Sequence, residues 1–226
     1  IPIGFVYDAT ARVVLDPDQQ VQQTIRVFFE TFSRTGSATA TVKRFREEGL
    51  CFPRRYWHGP RKGEVVWGPL DHPRTLFVLH HPRYAGAFVY GRWHHRKVDR
   101  KYRKRPPEEW IALVRDAHPA YITWEQFEQH QTMLRENAAV HGHDRRRSPP
   151  REGPALLQGL VICGKCGLRM SVRYHQSRGT LAPIYVCQRE GIEHGHPLCQ
   201  QITGASIDQA IGALVVDAVS PMALEV

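Results

Sequence analysis

The sequence predicts an α+β fold in two parts: a helix-rich domain with a small β-sheet, then a small β-rich domain built around cysteines. Three observations carry this. Val21, Ile25, Phe28, Phe29 and Phe32 recur at helical spacing. Short β-like runs stand between turn residues and are too brief for helices. Four of the five cysteines fall between Cys163 and Cys199, behind a charged, Gly/Pro-rich stretch without periodicity.

The first strands are expected at Phe5–Tyr7 and Arg12–Leu15. Asp16 is expected to cap a helix, with Pro17 at its first position. That helix should run to about Arg34 and stop near Gly36. Ser37 can cap a second helix with Val42 and Phe45 facing inward, ended by Gly49. Two helices joined by "RTGS" have the form of a helix-turn-helix pair, although an ordinary αα-hairpin suits these residues better. Val65–Trp67 reads as a strand. Leu70, Leu76, Phe77 and Leu79 suit a short third helix that starts near Pro73. "AFVYG" and "AYIT" read as strands. Thr123 and Gln126 form a capping box for a helix from Trp124 to about Val140.

The segment "HGHDRRRSPPREGP", His141–Pro154, reads as a linker. The expected division is therefore 1–140, a linker over 141–154, and a second domain over 155–226. In that domain "RMSVRY" and "PIYVC" are strand-like. A last helix is expected from Ser206, with Gln209 completing its capping box and Ile207, Ile211, Leu214 and Val215 on one face. The chain begins at Ile1, so it reads as part of a longer protein. No apolar run is long enough to span a bilayer.

The formal net charge is +9, and its placement matters more than its size. Residues 51–110 hold 14 Lys/Arg against 5 Asp/Glu, while the other segments are close to neutral. Arg92–Arg105 alone holds eight cations (Arg92, Arg96, Lys97, Arg100, Lys101, Arg103, Lys104 and Arg105), with Trp93 and Tyr102 interleaved. It is too polar to pack and reads as a mobile arm or hairpin loop, broken by Pro106-Pro107. Such a field implies a polyanionic partner, nucleic acid before a membrane surface, since no amphipathic stripe accompanies it. Arg54, Arg55, Arg61, Lys62, Arg74 and Arg83 flank it. Arg145, Arg146 and Arg147 lie in the linker. Arg169, Arg173 and Arg178, with Tyr174 and His175, fall on the expected hairpin of the second domain. A solvated surface explains that last group nearly as well.

Cys163 and Cys166 form a C-x2-C pair on a Gly-bearing turn. Twenty residues lead on to Cys187, and eleven more to Cys199. Four thiolates close a tetrahedral shell and leave no position open for chemistry, so one structural Zn2+ is the favoured reading. The wide second pair departs from the usual ribbon spacing, and His194 or His196 could replace Cys199. A redox pair, two disulfides and unligated core cysteines are the rivals. The odd cysteine count and the clustering argue for a reducing compartment. No metalloprotease helix, phosphate-binding Gly loop or nucleophile elbow is present, so no catalytic residue is assigned.

"IPIGFVYD…VVLDPDQQVQQTIRVFFETFSRTGSATATVKRFREEGL" resembles the opening of the recombinase domain of large serine recombinases (serine integrases). "HHPRYAGAFVYGR" is similar to that domain's N-P-x-Y-x-G segment, with His81 where Asn is usual. "HPAYITWEQFEQHQTMLREN" resembles its closing part, and "LLQGLVICGKCGLRMSVRY…YVCQREG…C" the attached zinc ribbon. The resemblance implies the DNA-binding half of a site-specific recombinase, whose serine nucleophile sits in an upstream catalytic domain. It implies duplex attachment-site DNA as partner. It also implies dimers on each site and a tetramer in synapsis, in a cytoplasmic, nucleoid-associated protein of bacterial or phage origin. An RNA-binding zinc-ribbon protein is the alternative, with a zinc enzyme third. The coiled coil that the family often carries has no heptads here.

Overall fold

The computed structural model describes residues 1–56, 58–96, 101–140, 155–177 and 180–223. It divides into two compact units, Ile1–Val140 and His141–Val226.

The first unit opens with a β-hairpin, β1 (Phe5–Tyr7) and β2 (Val13–Leu15), in antiparallel register. Helix α1 (Gln19–Thr35) follows. Its cap is Asp18, whose carboxylate accepts from the amides of Gln20 and Val21, so the expected cap at Asp16 is corrected by two residues. Asp16 is instead buried and pairs with Arg55 at 3.1 Å. The ion pair outcompetes the cap because Asp16 Oδ1 also holds the amide of Asp18, which fixes the loop ahead of the helix. Gly36 ends α1 in the left-handed region, and Ser37 caps α2 (Ala38–Glu47).

Burying the apolar stripes of α1 and α2 builds the core. The ring of Phe28 lies 5.4 Å from Phe52 and 6.2 Å from Phe45. Phe52 belongs to β3 (Cys51–Arg55), which pairs antiparallel with β4 (Val65–Pro69). Asp71 caps α3 (His72–Leu79), and a 3-10 turn, Pro82–Ala85, follows. Tyr84 in that turn is fully buried, packs its ring at a tilt against Phe5 and Phe29, and donates to the carbonyl of Ile3 at 3.0 Å. Tyr121 donates to the carbonyl of Gly4 at 2.6 Å. Gly4 has φ +89°, and a Cβ there would collide with the side chain of Ile25. These contacts tie the N-terminal segment to α1 and the turn.

Strand β5 (Phe88–Tyr90) pairs with β8 (Ala112–Val114). Between them the basic segment forms an antiparallel hairpin, β6 (Trp93–Arg96) with β7 (Lys101–Lys104), closed at its base by the Arg105 amide on the Arg92 carbonyl. "AYIT" forms no strand. It holds the Tyr121 and Ile122 amides on the carbonyl of Tyr84 and then starts α4 (Trp124–Val140). The Thr123–Gln126 capping box forms in both directions. His130 on α4 is buried beside Phe29 and Phe32 and bonds Ser33.

The second unit is a three-stranded antiparallel sheet in the order β11-β10-β9. Its strands are β9 (Ser171–Ser177), β10 (Thr180–Cys187) and β11 (Gln200–Thr203). A short helix α5 (Arg189–His194) loops out between β10 and β11, and α6 (Gly204–Ala223) ends the described chain. The core is small: Ala155, Cys163, Met170, Tyr185 and Cys187. Tyr185 donates to Asp208 of α6 at 2.5 Å and accepts from the Leu157 amide, which pins helix and leading loop to the sheet. The chain is already helical at Gly204, packed against Pro183, so Ser206 lies inside the first turn and does not begin the helix. The apolar face expected on α6 is covered only at its start: Ile207 and Ile211 are half-buried, whereas Leu214 and Val215 are exposed. Among the described residues no helix is long and apolar enough to cross a membrane.

Candidate functional site

In the second unit the two cysteine pairs are brought together by different means. The turn holding Cys163 and Cys166 is local. It is bracketed by a bridge from Ile162 to Arg169 and closed by the Gly167 amide on the Cys163 carbonyl, with Gly167 at φ +74°. Cys187 ends β10 and Cys199 precedes β11, and the Cys199 amide reaches the Cys187 carbonyl at 3.3 Å. The eleven intervening residues are therefore an excursion carrying α5, and the spacing along the chain does not separate the thiols in space.

All four sulfurs lie within 4.8 Å of one another. Cys163 Sγ is 3.7 Å from Cys199 Sγ, and Cys166 Sγ is 3.3 Å from Cys187 Sγ. A zinc tetrahedron with Zn–S near 2.3 Å has an edge of about 3.8 Å, so the donor set suits that ion in kind and in size. His194 is engaged by Glu190 at 3.0 Å, and neither His194 nor His196 belongs to the cluster. All five cysteines are free thiols, and Cys51 stands apart from the rest.

Packed this closely, four thiols cannot all ionise unaided. Burial opposes ionisation of Cys163, but the amides of Cys166 and Lys165 and the neighbouring thiols outweigh it and hold Cys163 down to about 6. Cys187 is pushed up to about 12, first by its hydrogen bond with Cys166 and then by burial. Cys199 is raised by its bond with Cys163 and by burial. A divalent cation resolves this conflict by taking the thiolates together. One residue the sequence did not single out supports the group: Gln200 Nε2 donates to Cys163 Sγ at 3.0 Å. Its only sequence signal is a side-chain amide directly after the last cysteine.

The basic residues of the first unit divide by partner. Arg55 is committed to Asp16 and little exposed, which makes it the least available to a ligand. Arg54 pairs with Asp71 at 3.1 Å. Arg61 is exposed, bonded to Glu64 and set over the Tyr56 ring at 5.0 Å. Lys62 is exposed. Arg74 lies over Phe77 at 5.8 Å. Arg83 sits in the turn after His81, and Arg92 donates to the His80 carbonyl at 3.2 Å. Arg105 donates to the Glu109 carbonyl. Arg96, Lys101, Arg103 and Lys104 lie on the β6–β7 hairpin. Lys97 and Arg100, at 97–100, Arg145, Arg146 and Arg147, in the segment 141–154, and Arg178 lie outside the described residues. In the second unit Arg169 bonds the Gly159 carbonyl and Arg173 bonds Gln188, both from exposed positions.

Comparison with known proteins gives a consistent result. The family model described as Recombinase matches residues 19–137, and the one described as Recombinase zinc beta ribbon domain matches residues 156–216. Uncharacterized protein y4bA/y4pH of Sinorhizobium fredii (strain NBRC 101917 / NGR234) is 44% identical over 229 residues, covering 100% of this chain and 33% of that protein. The chain thus spans about a third of the length of that relative. Two solved structures are similar at 18% identity over 96% of this chain. One is described as "Sequence Requirements of the Listeria innocua prophage attP site" (77% of that chain, TM-score 0.41). The other is described as "Crystal Structure of a LSR-DNA Complex" (57% of that chain, TM-score 0.40). With one family model covering more than half of its length and the matching zinc ribbon behind it, this chain belongs to the recombinase family.

Proposed function

We propose that this chain is the DNA-binding part of a site-specific serine recombinase and that it holds duplex attachment-site DNA. The observation that carries the reading is the β6–β7 hairpin: a run of eight cations in fourteen residues, four of them on its two paired strands, within a recombinase domain. Arginine forks and lysine ammonium groups suit phosphate oxygens, and a narrow basic ribbon fits along or into a groove. Residues 1–140 and 155–226 are two DNA-contacting modules, with 141–154 as the linker that follows the duplex between them. The whole recombinase acts as a dimer on each site and a tetramer in synapsis, in the cytoplasm. Its strand-breaking serine belongs to a catalytic domain upstream of these residues.

Cys163, Cys166, Cys187 and Cys199 would hold one Zn2+. Bound there, the ion supplies a cross-link and no reactive position, because all four of its sites are taken by sulfur. Gln200 orients Cys163, and the turn amides neutralise part of the thiolate charge. Competition between a duplex DNA and an RNA of equal length tests the reading. Preference for the duplex supports it, and preference for the RNA replaces it with an RNA-binding zinc-ribbon protein.

A further inference from the structure

At the base of the basic hairpin two arginines converge on one turn. Arg83 belongs to the 3-10 turn Pro82–Ala85, which is started by His81. Arg92 returns from β5, and its Nη2 donates to the carbonyl of His80, directly ahead of the same turn. Both side chains are half-buried. The buried and half-buried carboxylates of this unit are already taken: Asp71 holds Arg54 and the amide of Arg74, and Asp16 holds Arg55. Among the described residues neither Arg83 nor Arg92 has a carboxylate partner, and Arg92 Nε is enclosed without an acceptor.

A pair of partly desolvated like charges is costly without a counter-charge. The neighbouring groups register it. Burial and then Arg83 lower Arg92. Burial, then Arg92 and Arg83, drive His81 down to about 3, so it stays neutral and adds no third charge. Burial also lowers His118, with Arg83 contributing. An anion with several oxygens is what this arrangement lacks. The Arg105 amide closes the hairpin on the carbonyl of Arg92 itself, so Arg92 stands at the hairpin's base.

We propose that Arg83 and Arg92 jointly hold a single backbone phosphate of duplex DNA, and that this contact registers the β6–β7 hairpin on the strand. The proposal rests on the DNA-binding reading above and adds to it which two side chains share one phosphate. Each arginine offers a guanidinium fork that lysine does not match.

The test uses the whole chain and a labelled duplex oligonucleotide of arbitrary sequence, with affinity followed between about 50 and 200 mM salt. Arg83→Gln and Arg92→Gln should each make the log K against log salt slope shallower by about 1. The double variant should lose the same single step, because one phosphate is shared. Arg83→Lys should keep the slope, and Arg189→Gln, whose partner is Glu193, should change nothing. Melting of Arg83→Gln in low-salt buffer is the control, because Arg92 also holds the His80 carbonyl: relieving a like-charge pair leaves the melting temperature unchanged or raised. A steep wild-type slope that the double variant retains overturns this proposal and leaves the DNA reading standing. A double variant that loses two steps overturns the sharing. A fall in melting temperature makes the pair structural and overturns the proposal as well. A wild type with no salt dependence overturns both readings.

Discussion

Replacing Cys163 with serine removes one of four sulfurs and the anchor of the turn that carries it. Besides the neighbouring thiols, the amides of Lys165 and Cys166 and the side chain of Gln200 end on that sulfur. A serine hydroxyl stays protonated at neutral pH and offers a hard ligand where zinc selects soft ones. The consequence for folding follows from how little else the second unit buries. Among the described residues, and apart from the cysteines, its large buried side chains are Met170, Tyr185 and Val186. At about 1.5–3 kcal/mol each they contribute together about 5–9 kcal/mol. A four-cysteine zinc site contributes on the order of 10–16 kcal/mol of apparent binding energy, more than those three together. Cys163→Ser should therefore unfold the second unit. The first unit keeps its own Phe28–Phe45–Phe52 core and should stay folded. Metal analysis should fall from one zinc per chain to a small fraction. Amide NMR should show the resonances of 155–223 collapsing while those of 1–140 hold. A variant that keeps one tightly bound zinc and a dispersed spectrum for the second unit shows that neither the zinc nor the fold depends on Cys163.

Gln200→Leu removes the hydrogen bond to Cys163 and should weaken zinc retention by about 10-fold or more, seen as faster transfer to a chelator dye; an unchanged rate means the bond is incidental. Arg55→Met leaves Asp16 without its cation in a site where the two side chains are 16% and 9% exposed. Denaturant unfolding should show a loss of about 3 kcal/mol at constant m, and no shift in midpoint counts against the ion pair. His81 has its folded pKa depressed to about 3, so its contribution is present above the unfolded value near 6.5 and is lost as pH falls. Between pH 7 and pH 5 the wild type should lose about 2 kcal/mol more than His81→Asn; equal losses contradict the burial of a neutral imidazole beside Arg92 and Arg83.

Helices were the most legible part of the fold, because their signals are local. The stripe Val21–Phe32, the Gly36 stop, the Ser37 cap and the Thr123–Gln126 box depend on neighbours three or four residues away. The cap at Asp16 failed for a non-local reason: Arg55 lies thirty-nine residues on, and only the fold brings it close. Strand β3 was not anticipated. Its Pro53-Arg54-Arg55 run looks like a loop, yet it pairs in full with β4. Strand β8 went unseen while "AYIT" was expected to pair, because both are short apolar runs and only tertiary contacts choose between them. The first cysteine pair was legible from its turn. The second was not decidable against His194 and His196 until α5 was seen to loop out and leave Cys187 and Cys199 side by side.

The proposed function requires duplex DNA binding through phosphate neutralisation. The direct measurement is the affinity of the zinc-loaded chain for a duplex across a salt series. If the cations of the hairpin and its base contact about eight phosphates, log K falls with a slope of about −7 against log salt. A slope near zero, or binding that needs no duplex, contradicts DNA binding through phosphate neutralisation.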